Sequence, residues 1–177
     1  MHDMNGTKKI YLVGMMGSGK SHWSTRLGRS FGLPAYDLDR LIEIKEGKTV
    51  REIFEEKGEE YFRNLESDTL KNGVPAGEFI LATGGGTPCF FDNLAFMKSN
   101  GLLIWFNPSV EELVYRIRKS PGTRPKLAGM DTDEELAGHL HQLLASRKQW
   151  YEQSDLVIDE DLVGQETLVK LIEPYLG

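Results

Sequence analysis

The chain has 177 residues, 40% of them hydrophobic and 27% charged, with a net charge of −6. That is enough length for one ordinary domain, read here as 1–177, with a sizeable core. The acidic balance argues against a nucleic-acid partner. A single cysteine, Cys89, excludes an internal disulfide and suits a reducing cytoplasm. The polar start, Met1 to Lys9, lacks the apolar stretch of a signal peptide, and no apolar run is long enough to span a membrane.

The pattern along the chain alternates strands and helices. Ile10 to Val13 reads as a buried strand ending at Gly14, followed by a helix from Lys20 to Phe31 that Gly32 and Pro34 stop. A short strand, Ala35 to Asp37, leads into a helix that ends by Gly47. Thr49 and Glu52 form a capping box for the next helix, and another runs from Glu59 to about Lys71. Phe79 to Ala82 is a strand that stops at Gly84-Gly85-Gly86, and Leu102 to Phe106 is the next. Ser109 and Glu112 give a second capping box for a helix fading near Lys119. Ser120 to Met130, with two prolines and two glycines, is a loop (about 119–131 at its widest). Thr132 and Glu135 open a long helix to Tyr151. Leu156 to Ile158 is the last strand, and Val163 to Tyr175 the last helix. Five short apolar strands between helices predict an α/β fold, a parallel sheet covered on both faces, with sites beyond the carboxyl ends of the strands.

Gly14-Met15-Met16-Gly17-Ser18-Gly19-Lys20-Ser21 matches G-x-x-x-x-G-K-[ST] in full, after a strand and before a helix. Its glycines let backbone amides curl around phosphate oxygens, and the helix start offers further amides to the same anion. Lys20 reaches the β- and γ-phosphates in such loops, and Ser21 serves Mg²⁺. The loop predicts a nucleotide phosphate without separating a kinase from a GTPase or a motor ATPase.

Asp37 and Asp39 are two apart where the second strand ends. On extended backbone they point the same way, which suits Mg²⁺ and a substrate hydroxyl. Acidic residues before a helix would also explain them. In the long helix, Leu136, Leu140, Leu143, Arg147 and Tyr151 share one stripe. Arg147 is therefore expected to be buried and paired either with an internal acid or with a ligand carboxylate. Arg63 has Glu59 at i−4 and Glu66 at i+3, which a surface ion pair would satisfy. Three consecutive glycines after a strand point to a loop pressed against a ligand, or to a flexible turn. The cations of Thr123-Arg124-Pro125-Lys126-Leu127 suit a lid over a phosphate, or a solvated loop. Cys89 reads as a small buried residue, and His2, His22, His139 and His141 form no metal-ligand cluster.

Together, G-M-M-G-S-G-K-S, Y-D-L-D, F-R-N-L-E, G-G-G, R-P-K-L and S-R-K-x-x-Y resemble the shikimate kinases, from the first strand to about Tyr151. The resemblance implies a three-layer P-loop fold of the nucleoside-monophosphate-kinase type, with sheet order 2-3-1-4-5. It implies transfer of the γ-phosphoryl of ATP to the 3-hydroxyl of shikimate by a cytoplasmic enzyme of aromatic amino acid biosynthesis. It further implies that Asp39 binds the acceptor hydroxyls and acts as base, while Asp37 supports Mg²⁺ through water beside Ser21. Arg63 and Arg147 would hold the shikimate carboxylate against Gly84, Gly85 and Gly86. Gly14, Gly17, Ser18, Gly19, Lys20, Ser21 and His22 would hold ATP with Arg124, and Lys20 and Arg124 would serve the transfer itself. His22 stands where the family usually has threonine, and Asp159-Glu160-Asp161 where it often has a basic residue beside adenine. A gluconate kinase and a nucleotide-binding module without catalysis are the rival readings. The absence of a heptad run reads as a monomer.

Overall fold

A computed structural model describes residues 8–120, 130–159 and 164–176. Its centre is a parallel five-stranded sheet in the order β2-β3-β1-β4-β5. The strands are β1 (Lys9–Val13), β2 (Ala35–Asp37), β3 (Phe79–Ala82), β4 (Leu102–Phe106) and β5 (Leu156–Ile158). The predicted strand set and order are therefore both present. β1, β3 and β4 are apolar almost throughout because both faces of the sheet are covered.

Alternation along each strand divides the core in two. Tyr11, Val13, Leu81, Leu103 and Trp105 point to one face, where they meet Leu38, Ile42, Ile53, Phe62, Leu113, Leu136, Leu140 and Tyr151. Those residues come from α2 (Leu38–Glu46), α3 (Val50–Asp68), α5 (Val110–Lys119) and α6 (Asp133–Tyr151). Ile10, Leu12, Ile80, Ile104 and Phe106 point to the other face. They pack on Leu27 of α1 (Lys20–Phe31) and on Leu168 and Ile172 of α7 (Gln165–Ile172). The result is three layers, as the alternating pattern requires.

The capping boxes at Thr49–Glu52 and Thr132–Glu135 form reciprocally. At Ser109 the hydroxyl accepts the Glu112 amide, while the Glu112 carboxylate takes Arg116 at 2.5 Å. The two helices expected after Thr49 run as one element, broken at Gly58, whose φ of 80° and ψ of 174° are not helical. The second half ends in a π-helical turn, Thr69–Gly73. One helix has no counterpart in the sequence reading, α4 (Asn93–Asn100). Its buried Asn93 sits where an apolar residue would be expected. The side chain accepts from Ser67 Oγ at 2.7 Å and donates to the Thr87 carbonyl at 2.9 Å. The last helix is shorter than expected and ends in a 3₁₀ turn at Glu173–Tyr175, containing Pro174. Among the described residues no helix is long and apolar enough to cross a membrane.

Candidate active site

The segments beyond the carboxyl ends of β1, β2 and β3 meet in one cleft of about 1040 Å³. At its floor, the loop after β1 turns on Gly14, Gly17 and Gly19, with φ of 137°, 80° and 89°. Gly14 is also constrained by crowding, since a Cβ there would lie 2.3 Å from the Phe106 carbonyl oxygen of β4. Lys20 is folded back into the loop, its Nζ donating to the carbonyls of Gly14 and Met15 at 2.8 Å each. Ser18 is buried and Ser21 exposed, at the helix start where free amides face an anion. His22 is exposed at the same end, its Nε2 3.3 Å from Arg26 Nη1.

Asp37 and Asp39 both line the cleft, but only Asp37 lies on extended backbone, where both were expected. The strand ends at Asp37, which caps α2 by accepting the Arg40 amide; Asp39 belongs to the first helical turn. The other Asp37 oxygen accepts Ser21 Oγ at 2.5 Å. This pair ties the phosphate loop to β2 and offers a hydroxyl and a carboxylate to one cation, the donor chemistry that suits a hydrated Mg²⁺. Among the described residues no group of three or more His, Cys, Asp or Glu side chains could hold a metal alone.

Asp39 is pushed up to about 7 from an ordinary 3.8. Burial is the main cause; the neighbouring charges of Asp37 and Glu66 add to it, and Lys20 opposes them. A carboxyl poised near neutrality in a cleft is suited to accepting a proton.

Glu66 has no exposed surface. One oxygen accepts Arg63 Nη1 at 2.8 Å and the other Thr87 Oγ1 at 2.6 Å. Arg63 is also buried, and its Nε and Nη2 donate to Glu59 at 3.3 and 3.0 Å. The ion pairs read from the sequence exist, but the one with Glu66 is interior rather than a surface pair. Arg147 is corrected in the opposite sense. It is half-buried, because the stripe of α6, buried at Leu136, Leu140 and Tyr151, opens onto the cleft between Leu140 and Tyr151. Among the described residues it forms no ion pair, and its guanidinium lies against Gly85.

The glycine run is explained by these charged groups. None of the three has a positive φ. A Cβ on Gly84 would lie 2.8 Å from Glu66 Oε1, and one on Gly85 3.1 Å from Arg147 Nη1. On Gly86 it would lie 2.8 to 3.0 Å from three guanidinium atoms of Arg63. Each glycine leaves room for a charged side chain, and the need is for space rather than for backbone freedom.

Arg124 and the centre of the predicted lid lie outside the described residues. Sequence reasoning missed Arg116, which lines the cleft beside the phosphate loop and donates to the Ser18 carbonyl at 3.4 Å. Its i−4 glutamate was the only local signal, and that reads as an ordinary helix pair. It also missed Phe54, which lines the same cleft and packs on Phe62. Cys89 is half-buried rather than fully buried, and burial pushes its thiol up.

A family model for shikimate kinase matches residues 16–174. A shikimate kinase of Parabacteroides distasonis is 38% identical over 160 residues, covering 90% of this chain and 92% of that protein. The crystal structure of shikimate kinase from Bacteroides thetaiotaomicron superposes with a TM-score of 0.88 at 34% identity, covering 94% of this chain and 99% of that one. The shikimate kinase of Acinetobacter baumannii, solved in complex with shikimate, gives 0.82 at 30% identity, covering 97% and 96%.

The raised Asp39 makes a stability prediction. The folded state holds this proton up to about pH 7, whereas the unfolded chain releases it near 3.8, so ionised Asp39 destabilises the fold above neutrality. Asp39→Asn should therefore melt higher than the parent at pH 8, by at least about 2 °C. The difference should shrink as pH falls from 8 to 5. Equal melting curves at pH 8, or a difference independent of pH, would remove the burial argument.

Proposed function

From the premise that this chain belongs to the shikimate kinase family, we propose that it transfers the γ-phosphoryl of ATP to the 3-hydroxyl of shikimate. The observation that carries this reading is one cleft that combines the phosphate loop, a near-neutral Asp39 and two arginines set against a glycine run. An acceptor with a carboxylate at one end and hydroxyls at the other fits that layout.

The residues divide the work as follows. Gly14, Gly17, Ser18, Gly19, Ser21 and His22 form the ATP phosphate cradle, with Arg116 beside it. Mg²⁺ would be held by Ser21 and, through water, by Asp37, and would neutralise phosphate charge when bound. Lys20 leaves the Gly14 and Met15 carbonyls to meet the β- and γ-phosphates. Arg63 and Arg147 hold the acceptor carboxylate, and Gly84 to Gly86 let both approach it. Asp39 orients the 3-hydroxyl and accepts its proton as the oxygen bonds to the γ-phosphorus. The bond from that phosphorus to the bridging oxygen breaks, giving shikimate 3-phosphate and ADP. Arg124 joins Lys20 at the transferring charge, on the strength of the family resemblance. One cysteine is compatible with a cytoplasmic setting.

ADP release measured with shikimate, with gluconate and without acceptor tests the function. Release should depend on shikimate. Preference for gluconate, or equal release without acceptor, would contradict the reading. In the same assay kcat/KM for shikimate should fall on the acid side with a midpoint near pH 7. Asp39→Asn should lose about 10² in kcat. If only KM changes, Asp39 binds without acting as base.

Gly86→Ala tests the glycine argument. The added methyl must push Arg63 off its position, so KM for shikimate should rise about tenfold. KM for ATP should change little, and the fold should persist because φ at Gly86 is −91°, accessible to alanine. An unchanged shikimate KM would show that Arg63 relaxes freely.

A further inference from the structure

We propose that Phe90 is a positioning residue for the acceptor's carboxylate, acting through Arg63, and this rests on the reading that Arg63 grips that carboxylate. The edges of the Arg63 guanidinium are fixed by Glu66 and Glu59. Edge contacts leave the tilt of a planar group undetermined; something must rest against its face. The Phe90 ring is the aromatic group nearest to do so: Cζ lies over it, 4.2 Å from its centroid, against 5.3 Å for Phe62 and 6.0 Å for Phe54. The negative face of an aromatic ring attracts a cation, more so where water is excluded, and Arg63 is buried. Gly86 also presses on this group, since a Cβ there would come within 3.0 Å of Cζ and both Nη atoms.

The backbone gives a second, independent indication. Phe90 follows the 3₁₀ turn Thr87–Cys89 that leaves the glycine run. The next residue, Phe91, adopts φ of 50°, the one non-glycine positive φ among the described residues. A phenylalanine pays strain for that conformation. Phe91 is 61% exposed, so burial of its own ring does not compensate. What the strained turn secures is the neighbouring ring on Arg63. Phe90 thus links the glycine run to the arginine and fixes the plane in which two N–H groups can meet a carboxylate.

Phe90→Leu keeps apolar bulk and removes the π face. KM for shikimate should rise about threefold to tenfold, while kcat and KM for ATP stay within about twofold. Phe90→Tyr and Phe90→Trp should restore the parental KM, which a role in packing alone would not produce. Arg63→Lys is measured alongside. If Arg63→Lys raises KM and Phe90→Leu does not, the positioning role is wrong and the site reading stands. If Arg63→Lys leaves KM unaltered, both fall. A Phe90→Leu effect that Tyr and Trp share, or a lower melting temperature with unchanged KM, also overturns the proposal.

Discussion

A fully buried carboxylate, Glu66, and the arginine that neutralises it set the terms for the rest of the cleft. Removing one partner of such a pair costs about 3–5 kcal/mol, because the other charge stays in the interior. Glu66 is satisfied on both oxygens, by Arg63 and by Thr87 just beyond the glycine run. That ties α3 to the end of β3. It also forces glycine at positions 84 and 86, where a methyl would strike Glu66 and Arg63. The pair stabilises the fold less than it specifies where a cation will stand.

The same negative charge acts across the cleft. Burial raises Asp39 most, Asp37 and Glu66 add to it, and Lys20 opposes them, so the proton affinity of Asp39 depends on groups that have other duties. Asp37 caps α2 and accepts the Ser21 hydroxyl; Lys20 holds the loop together through backbone carbonyls. In the proposed mechanism, phosphates meeting Lys20 would loosen those carbonyl contacts and change the field at Asp39. The phosphate loop and Asp39 are therefore electrostatically linked through charges that line one cleft.

The phosphate loop was legible in the sequence because its constraint is local: eight consecutive residues carry both the turn and the cation. The strand order followed from resemblance, and the two-faced burial from uninterrupted apolar strands. Asp37 and Asp39 were found for an imperfect reason, since a cap and a helical turn bring them into the cleft, not shared strand geometry. The glycine run was visibly unusual, yet its cause lies in Glu66 on α3 and Arg147 on α6, contacts that no local pattern records. Arg147 was expected to be buried because periodicity fixes a direction around a helix. It does not say that a cleft interrupts the buried stripe between Leu140 and Tyr151. Phe90, Arg116 and α4 were missed because an aromatic in a turn, an i,i+4 ion pair and an asparagine in a core position each read as something ordinary.

The central claim is that two planar cations recognise the acceptor's carboxylate, and Arg147 tests it most directly because among the described residues no acid neutralises it. Lysine there keeps the charge and loses the fork. Shikimate titrated into Arg147→Lys should bind at least about tenfold more weakly, a loss of about 1.4 kcal/mol, with ATP binding unchanged. An analogue with the carboxylate reduced to an alcohol should bind the parent poorly and fail to distinguish it from the variant. Unaltered shikimate affinity, or a variant that no longer folds, would make Arg147 a structural residue and contradict the account.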